Sequence, residues 1–177
     1  MLWIRNDIEA EQVPIGSPDM TAALIRLPER LLLVASVYVQ GIDAEALTEA
    51  CDNLRKVITD TRRDAGRVID VVVAGDFNRH DQLWGGEDVS LVRQGEADQI
   101  IDLMSEFVLS SLLPRGTKTW QGGNHESTID LVLASEDLAN SRVKRMIRQT
   151  EHGSDHRAIE TTFDISTLAP IHQDRPH

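Results

Sequence analysis

The sequence predicts an α/β (α+β) fold, a sandwich of two mostly antiparallel β-sheets flanked by helices. Three observations predict it. Short apolar runs that read as strands outnumber the helical stretches. Continuously apolar strands such as 68–74 stand beside an alternating one at 157–165, so some strands are covered on both faces and others on one. No glycine fingerprint opens a helix after the first strand, which sets aside a dinucleotide-binding fold.

The elements justify themselves in order. "TAALIRLPERLLLVASVYV", residues 21–39, reads as two strands around a turn at Pro28, Glu29 and Arg30. Leu47, Ala50, Cys51, Leu54, Val57 and Ile58 recur at helical spacing and predict an amphipathic helix over Ala44 to Ala65, ended near Gly66. Ile100, Ile101, Met104, Phe107 and Val108 mark a second helix, which stops before "LLPRG". "TKTW" and "STIDLVLAS" are expected as two strands joined across the loop "QGGNHE". "VKRMIR" and "RAIETTFDI" complete the strands, the second with Ile159, Thr161, Phe163 and Ile165 on one side. The chain of 177 residues reads as one domain over 1–165, followed by a patternless tail over 166–177.

Composition bounds the function. The single cysteine, Cys51, excludes an internal disulfide, suits a reducing compartment, and lies on an apolar helix face where packing is its expected role. No apolar run reaches the roughly 18 residues of a membrane span, and the opening residues lack a secretory layout. The expected setting is therefore intracellular, nuclear or cytoplasmic, without a membrane partner. The formal net charge of -11 runs against the basic surface of most nucleic-acid binders. A local basic face together with a bound cation would offset it.

Three strand ends break the apolar pattern in the same way. Asp76 and Asn78 follow "VIDVVVAG"; Asp130 opens the strand in "STIDLVLAS"; Asp155 and His156 precede "RAIETTFDI". One strand's end and two strand beginnings share one sheet edge when neighbours run antiparallel. Such a cluster suits phosphodiester hydrolysis, which needs a base, a cation on the phosphate oxygens and fixed donors. His156 is the candidate base, and Asp130 the carboxylate that fixes its tautomer. Asp155 offers an oxygen ligand to Mg²⁺ or Mn²⁺, and Asp76 and Asn78 would hold the water and a phosphate oxygen. Each feature has a plainer reading. "GDFN" alone is equally a strand followed by an Asx turn, "SDH" a cap, and Asp130 a buried acid bonded to backbone amides. Their joint occurrence favours the chemistry.

"GDFN", "STIDLVLAS" and "GSDHRAI", in that order, resemble the endonuclease/exonuclease/phosphatase superfamily, which includes pancreatic DNase and the apurinic endonucleases. A closer resemblance is to the endonuclease domain of fungal non-LTR (LINE-like) retrotransposons, carried by "GDFNRHDQLWGG", "RQGEA", "SLLPRGTKTW", "ESTIDLVLAS" and "TEHGSDHRAIET". Such elements carry a reverse transcriptase downstream. The likeness runs from about Leu2 to Ile165 and implies a DNase-like fold and nicking of target DNA. It implies that Asp76 orients or deprotonates the water, Asn78 holds phosphate, Asp130 pairs with His156, Asp155 lies at the metal, and His156 is the catalytic histidine. Tyr38, in "SVYVQ", matches a tyrosine that contacts the scissile phosphate; without the resemblance it reads as core. Ser127 and Ser154 would give hydrogen-bonding support.

The resemblance also implies a departure. Relatives open with strands bearing an asparagine and a metal-binding glutamate, and "LWIRNDI" looks like a strand that follows both. Asn6, Glu9 and Glu11 do not match those residues. The expectation is a partial domain missing its first strands, weak metal affinity, little or no nuclease activity, and self-association through an uncovered sheet edge. A nonenzymatic DNA-binding or assembly remnant, or a phosphatase on a non-nucleic-acid phosphoester, are the alternatives. Trp84 and Trp120 are expected beside the mouth, to stack on bases or to anchor loops. Arg142, Lys144, Arg145 and Arg148 form the most basic stretch, with Arg62, Arg63 and Arg67 a smaller one. His152 and His156 have zinc-ligand spacing, but "HGSDH" is not helical, so zinc is not expected.

Overall fold

The structure, a computed structural model, describes residues 1–41, 43–148 and 154–167. Six strands form its main sheet: β1 (Ala10–Val13), β2 (Met20–Arg26), β3 (Leu31–Tyr38), β4 (Asp70–Asp76), β8 (Asp130–Ser135) and β5 (Leu109–Ser111), in that spatial order. Only β3 and β4 pair in parallel. They are joined by the crossover helix α1 (Ala44–Ala65), as a parallel pair requires. Asp43 caps α1 by accepting from the amides of Glu45 and Ala46, and Gly66 ends it at φ 61°.

The two faces of this sheet bury different cores. On one, Leu47, Cys51, Leu54 and Ile58 of α1 and Ile100 and Leu103 of α3 (Asp98–Phe107) pack on Leu33, Val71, Val73 and Leu131. On the other, Val72, Val132 and Ala134 meet Leu112 and Leu138, with Ile159 and Phe163 of β10 (Ala158–Phe163) against them. This is why 71–74 is apolar without alternation: Val71 and Val73 enter one core and Val72 and Ala74 the other, while Asp70 within the expected run is buried against Arg30. The second sheet is the antiparallel pair of β10 and β9 (Arg142–Arg148), so the architecture is a sandwich with helices outside, as expected. Short helices α2 (Gln82–Gly85) and α4 (Glu136–Asn140) fill the connections.

Two segments differ from expectation. "LWIRNDI" forms no strand; the first ladder begins at Ala10, because Trp3 points out at 90% exposure and no strand pairs with 1–8. "TKTW" is not a strand and "QGGNHE" is not merely a loop. Residues 120–127 form a hairpin of β6 (Trp120–Gly122) and β7 (His125–Ser127), strands too short to show alternation. Ser166 lies in a short 3-10 turn, and 168–177, the rest of the expected tail, lie outside the described residues, as does His152. No helix among the described residues is long and apolar enough to cross a membrane.

Candidate active site

Register decides which side chains meet. Tyr38 of β3 pairs with Asp76 of β4, and Asp76 pairs with Asp130 of β8. Directly paired residues project to the same face, so the three stand in one row at one end of the sheet. The parallel pair brings two strand ends there and the antiparallel partner brings a strand beginning.

β4 runs into this row through a glycine that nothing else can replace. A Cβ on Gly75 would lie 1.8 Å from the Val37 carbonyl oxygen, so β3 and β4 approach closely only without one. Beyond it the chain turns on Asp76. Its Oδ1 accepts from the Asn78 amide at 2.9 Å, and its Oδ2 accepts from Asn78 Nδ2 at 2.9 Å. Asn78 sits at φ 49°, a region asparagine tolerates better than most residues, and Nδ2 also donates to the Val39 carbonyl at 2.9 Å. Phe77, fully buried, holds the turn to the core. Arg79, 3% exposed, donates to the carbonyls of Gly41, Asn78 and Asp43 and ties this loop to the one after β3.

Asp130 is placed by a residue the sequence gave no reason to single out. The Thr119 hydroxyl, fully buried, accepts from the amides of Ile129 at 3.1 Å and Asp130 at 3.0 Å. The Thr119 carbonyl accepts from the Arg157 amide at 2.7 Å, and Trp120 and His156 form an antiparallel bridge. One threonine thereby fixes the backbone on both sides of the Asp130–His156 contact. Arg157 donates to Gln121 and Glu126 and holds the β6–β7 hairpin to the same segment.

His156 Nδ1 lies 3.0 Å from each Asp130 carboxylate oxygen, and Nε2 lies 3.9 Å from Asp76 Oδ2. An ionised carboxylate only accepts, so Nδ1 carries the proton and Nε2 of the neutral ring is the basic atom, directed to Asp76. Burial disfavours the charged ring; the Asp130 hydrogen bond and charge, with Asp76 and Asp155 behind them, outweigh it and raise the pKa above its ordinary value. Burial also raises Asp76; Asn78's hydrogen bonds oppose this and the Asp130 charge reinforces it.

Asp76, Asp130 and His156 can place one ligand atom each within 4.8 Å of one another, a group that could hold a metal ion. Asp155, expected at the metal both as an oxygen ligand and by resemblance, is not in that group. Its exposed carboxylate accepts from Trp120 Nε1 at 2.9 Å, which lowers its pKa. Ser154 Oγ accepts from the His156 amide at 3.1 Å, and Ser127 lines the adjoining cavity. That cavity, about 570 Å³, is bordered by Asn78, His80, Arg93, Lys118, Trp120 and His156. Tyr38 is 48% exposed and is therefore not core. Trp84 is buried and donates Nε1 to the Arg79 carbonyl at 3.2 Å, so it anchors its loop. Cys51 is buried, and burial pushes its thiol up to about 11, in keeping with packing.

The basic stretches are largely answered within the protein. Arg142 and Arg145 donate to the Leu112 carbonyl, and Lys144 and Arg148 both pair with Glu160. Arg62 stacks over Phe107 at 5.3 Å, and Arg63 pairs with Asp60 and Asp64.

A sequence model described as endonuclease-reverse transcriptase matches residues 32–160. Among solved structures, the endonuclease domain of TRAS1, a telomere-specific non-LTR retrotransposon, superposes with a TM-score of 0.73 at 18% identity, over 91% of this chain and 69% of that one. The 3′ phosphatase NExo from Neisseria, bound to a product DNA hairpin, gives 0.56 at 16% identity, over 91% and 72%. Identities this low show a shared fold. No curated protein sequence matches.

Proposed function

Because the chain belongs to the endonuclease-reverse transcriptase family, we propose that it is a phosphodiester hydrolase of the retrotransposon DNA endonuclease type, nicking DNA with Mg²⁺ or Mn²⁺. The observation that carries this is His156, bonded through Nδ1 to Asp130 and facing Asp76 through Nε2, at the mouth of a cavity. The structural relatives support the substrate class, since one is a retrotransposon endonuclease and the other was solved with a DNA product.

In this reading a water held by Asp76 gives its proton to His156 Nε2 as its oxygen attacks phosphorus. Asp130 holds the ring and balances the imidazolium that forms. Tyr38 donates to a phosphate oxygen, while Asn78, whose amide hydrogens go to Asp76 and the Val39 carbonyl, holds Asp76 in place beside the phosphate. A phosphorus–oxygen ester bond breaks, the leaving oxygen takes a proton from water and His156 gives its proton back to solvent, so one strand end becomes a hydroxyl and the other a phosphate monoester.

The donor set suits a hard cation, which takes carboxylate oxygens and waters. Asp76, in the group with Asp130 and His156, would hold it, with the exposed Asp155 as a further oxygen donor only once released from Trp120, and the ion would neutralise phosphate charge. The Asp130–His156 contact uses both Asp130 oxygens, which leaves few carboxylate ligands. Metal binding is accordingly weak, and activity slow. The test is conversion of supercoiled plasmid to the nicked form. Slow nicking that needs Mg²⁺ or Mn²⁺, stops with chelator and falls at least about 100-fold in His156→Ala is expected. Nicking unchanged in that variant would refute the assignment.

A further inference from the structure

The cavity bordered by Asn78 and His156 is also lined by a pair for which the proposed chemistry has no use, His80 and Arg93, with Glu96 paired to Arg93. Arg93 Nη1 lies 2.7 Å from His80 Nδ1 and 3.4 Å from Glu96 Oε2. A guanidinium can only donate, so Nδ1 must accept. The ring is then neutral with its proton on Nε2. Burial, with the Arg93 charge next, lowers the His80 pKa and agrees with this. Among the described residues nothing accepts from Nε2. The result is an uncharged N–H donor with a set tautomer on a residue lining the same cavity as His156. Arg93 and Lys118 line the same space, each also paired with a carboxylate, Glu96 and Asp88, and a phosphate oxygen is the acceptor to which such cationic donors and a neutral N–H can turn together.

We infer that His80 is a further substrate-binding residue: held by Arg93 with its proton on Nε2, it donates to an oxygen of the phosphate neighbouring the scissile one on the DNA strand. This rests on the DNA hydrolase reading. It also gives the cavity a way to prefer a polymer strand over an isolated phosphoester, since the contact exists only where a second phosphate follows the first.

The test is fluorescence anisotropy of two labelled DNA duplexes of unrelated sequence with the full chain, across a range of salt. His80→Ala should weaken both by about tenfold, the worth of one hydrogen bond to a charged acceptor. Because the donor is neutral, the slope of log affinity against log salt should stay as in wild type; a lost cationic contact would reduce it by about one. His80→Gln, whose amide reaches about as far as Nε2, should bind within about threefold of wild type. Wild-type affinity in His80→Ala, a loss confined to one sequence, a reduced salt slope, or His80→Gln as weak as His80→Ala would each overturn the inference and leave the hydrolase reading standing. A wild-type chain that binds neither duplex would overturn both.

Discussion

At Asn78 one side chain serves backbone and chemistry together. Its amide nitrogen bridges Asp76 and the Val39 carbonyl, and its own φ of 49° is what turns the chain out of β4. These demands separate by substitution. Asn78→Gly removes the Cβ and holds this φ without strain, whereas Asn78→Ala keeps a Cβ in the left-handed region and lacks the amide that offsets it, at a cost of roughly 1–2 kcal/mol relative to Gly. Urea unfolding should therefore find Asn78→Ala less stable than Asn78→Gly by that margin, while plasmid nicking falls alike in both. Equal stabilities would mean that the turn relaxes to another conformation. Asp76, Asn78, Asp130 and His156 were legible in the sequence because each interrupts an apolar strand end. Thr119 and Arg79 were not. A single threonine between Lys118 and Trp120 carries no pattern, and an arginine in a loop reads as solvent-exposed until the fold buries it against three carbonyls.

Among the elements, the long ones were readable and the short ones were not. The helix predicted over Ala44 to Ala65 is α1 with those ends, because its apolar face repeats over six turns and Asp43 and Gly66 mark its limits. The strands at 20–26, 31–38 and 70–76 are legible for the same reason: enough residues to show a run. The hairpin at 120–127 has three-residue strands, and what fixes it is tertiary, the bridge to His156 and the Arg157 contacts. Thr119 is the joint of that unit. Thr119→Val is nearly isosteric but leaves the buried amide of Ile129 and the half-buried amide of Asp130 without their acceptor. It should lower stability by about 2–4 kcal/mol in thermal unfolding and, with the Asp130 backbone released, reduce nicking beyond what the lost stability explains. A variant as stable and active as wild type would show that the hairpin places itself without this bond.

Over the whole molecule, the sheet order is what unites the site. Asp76, Asp130 and His156 are separated by 54 and 26 positions in the sequence, and they meet because β4 and β8 are antiparallel neighbours and the hairpin carries the His156 segment to their end. The net charge of -11 fits this design, since carboxylates gathered around one imidazole are useful only with a cation or a proton to balance them. They also give the site its pH response. With its folded pKa raised, His156 adds stability that is fully present below its unfolded value and is lost as pH rises through the folded one. The base form needed for hydrolysis appears over that same upper range. The most direct test is an NMR titration of the His156 ring by long-range ¹H–¹⁵N correlation, in wild type and in Asp130→Asn. The account predicts a wild-type neutral ring protonated on Nδ1 and a midpoint above 6.5 that falls in Asp130→Asn. A neutral ring protonated on Nε2, or a midpoint that Asp130→Asn leaves unmoved, would contradict it.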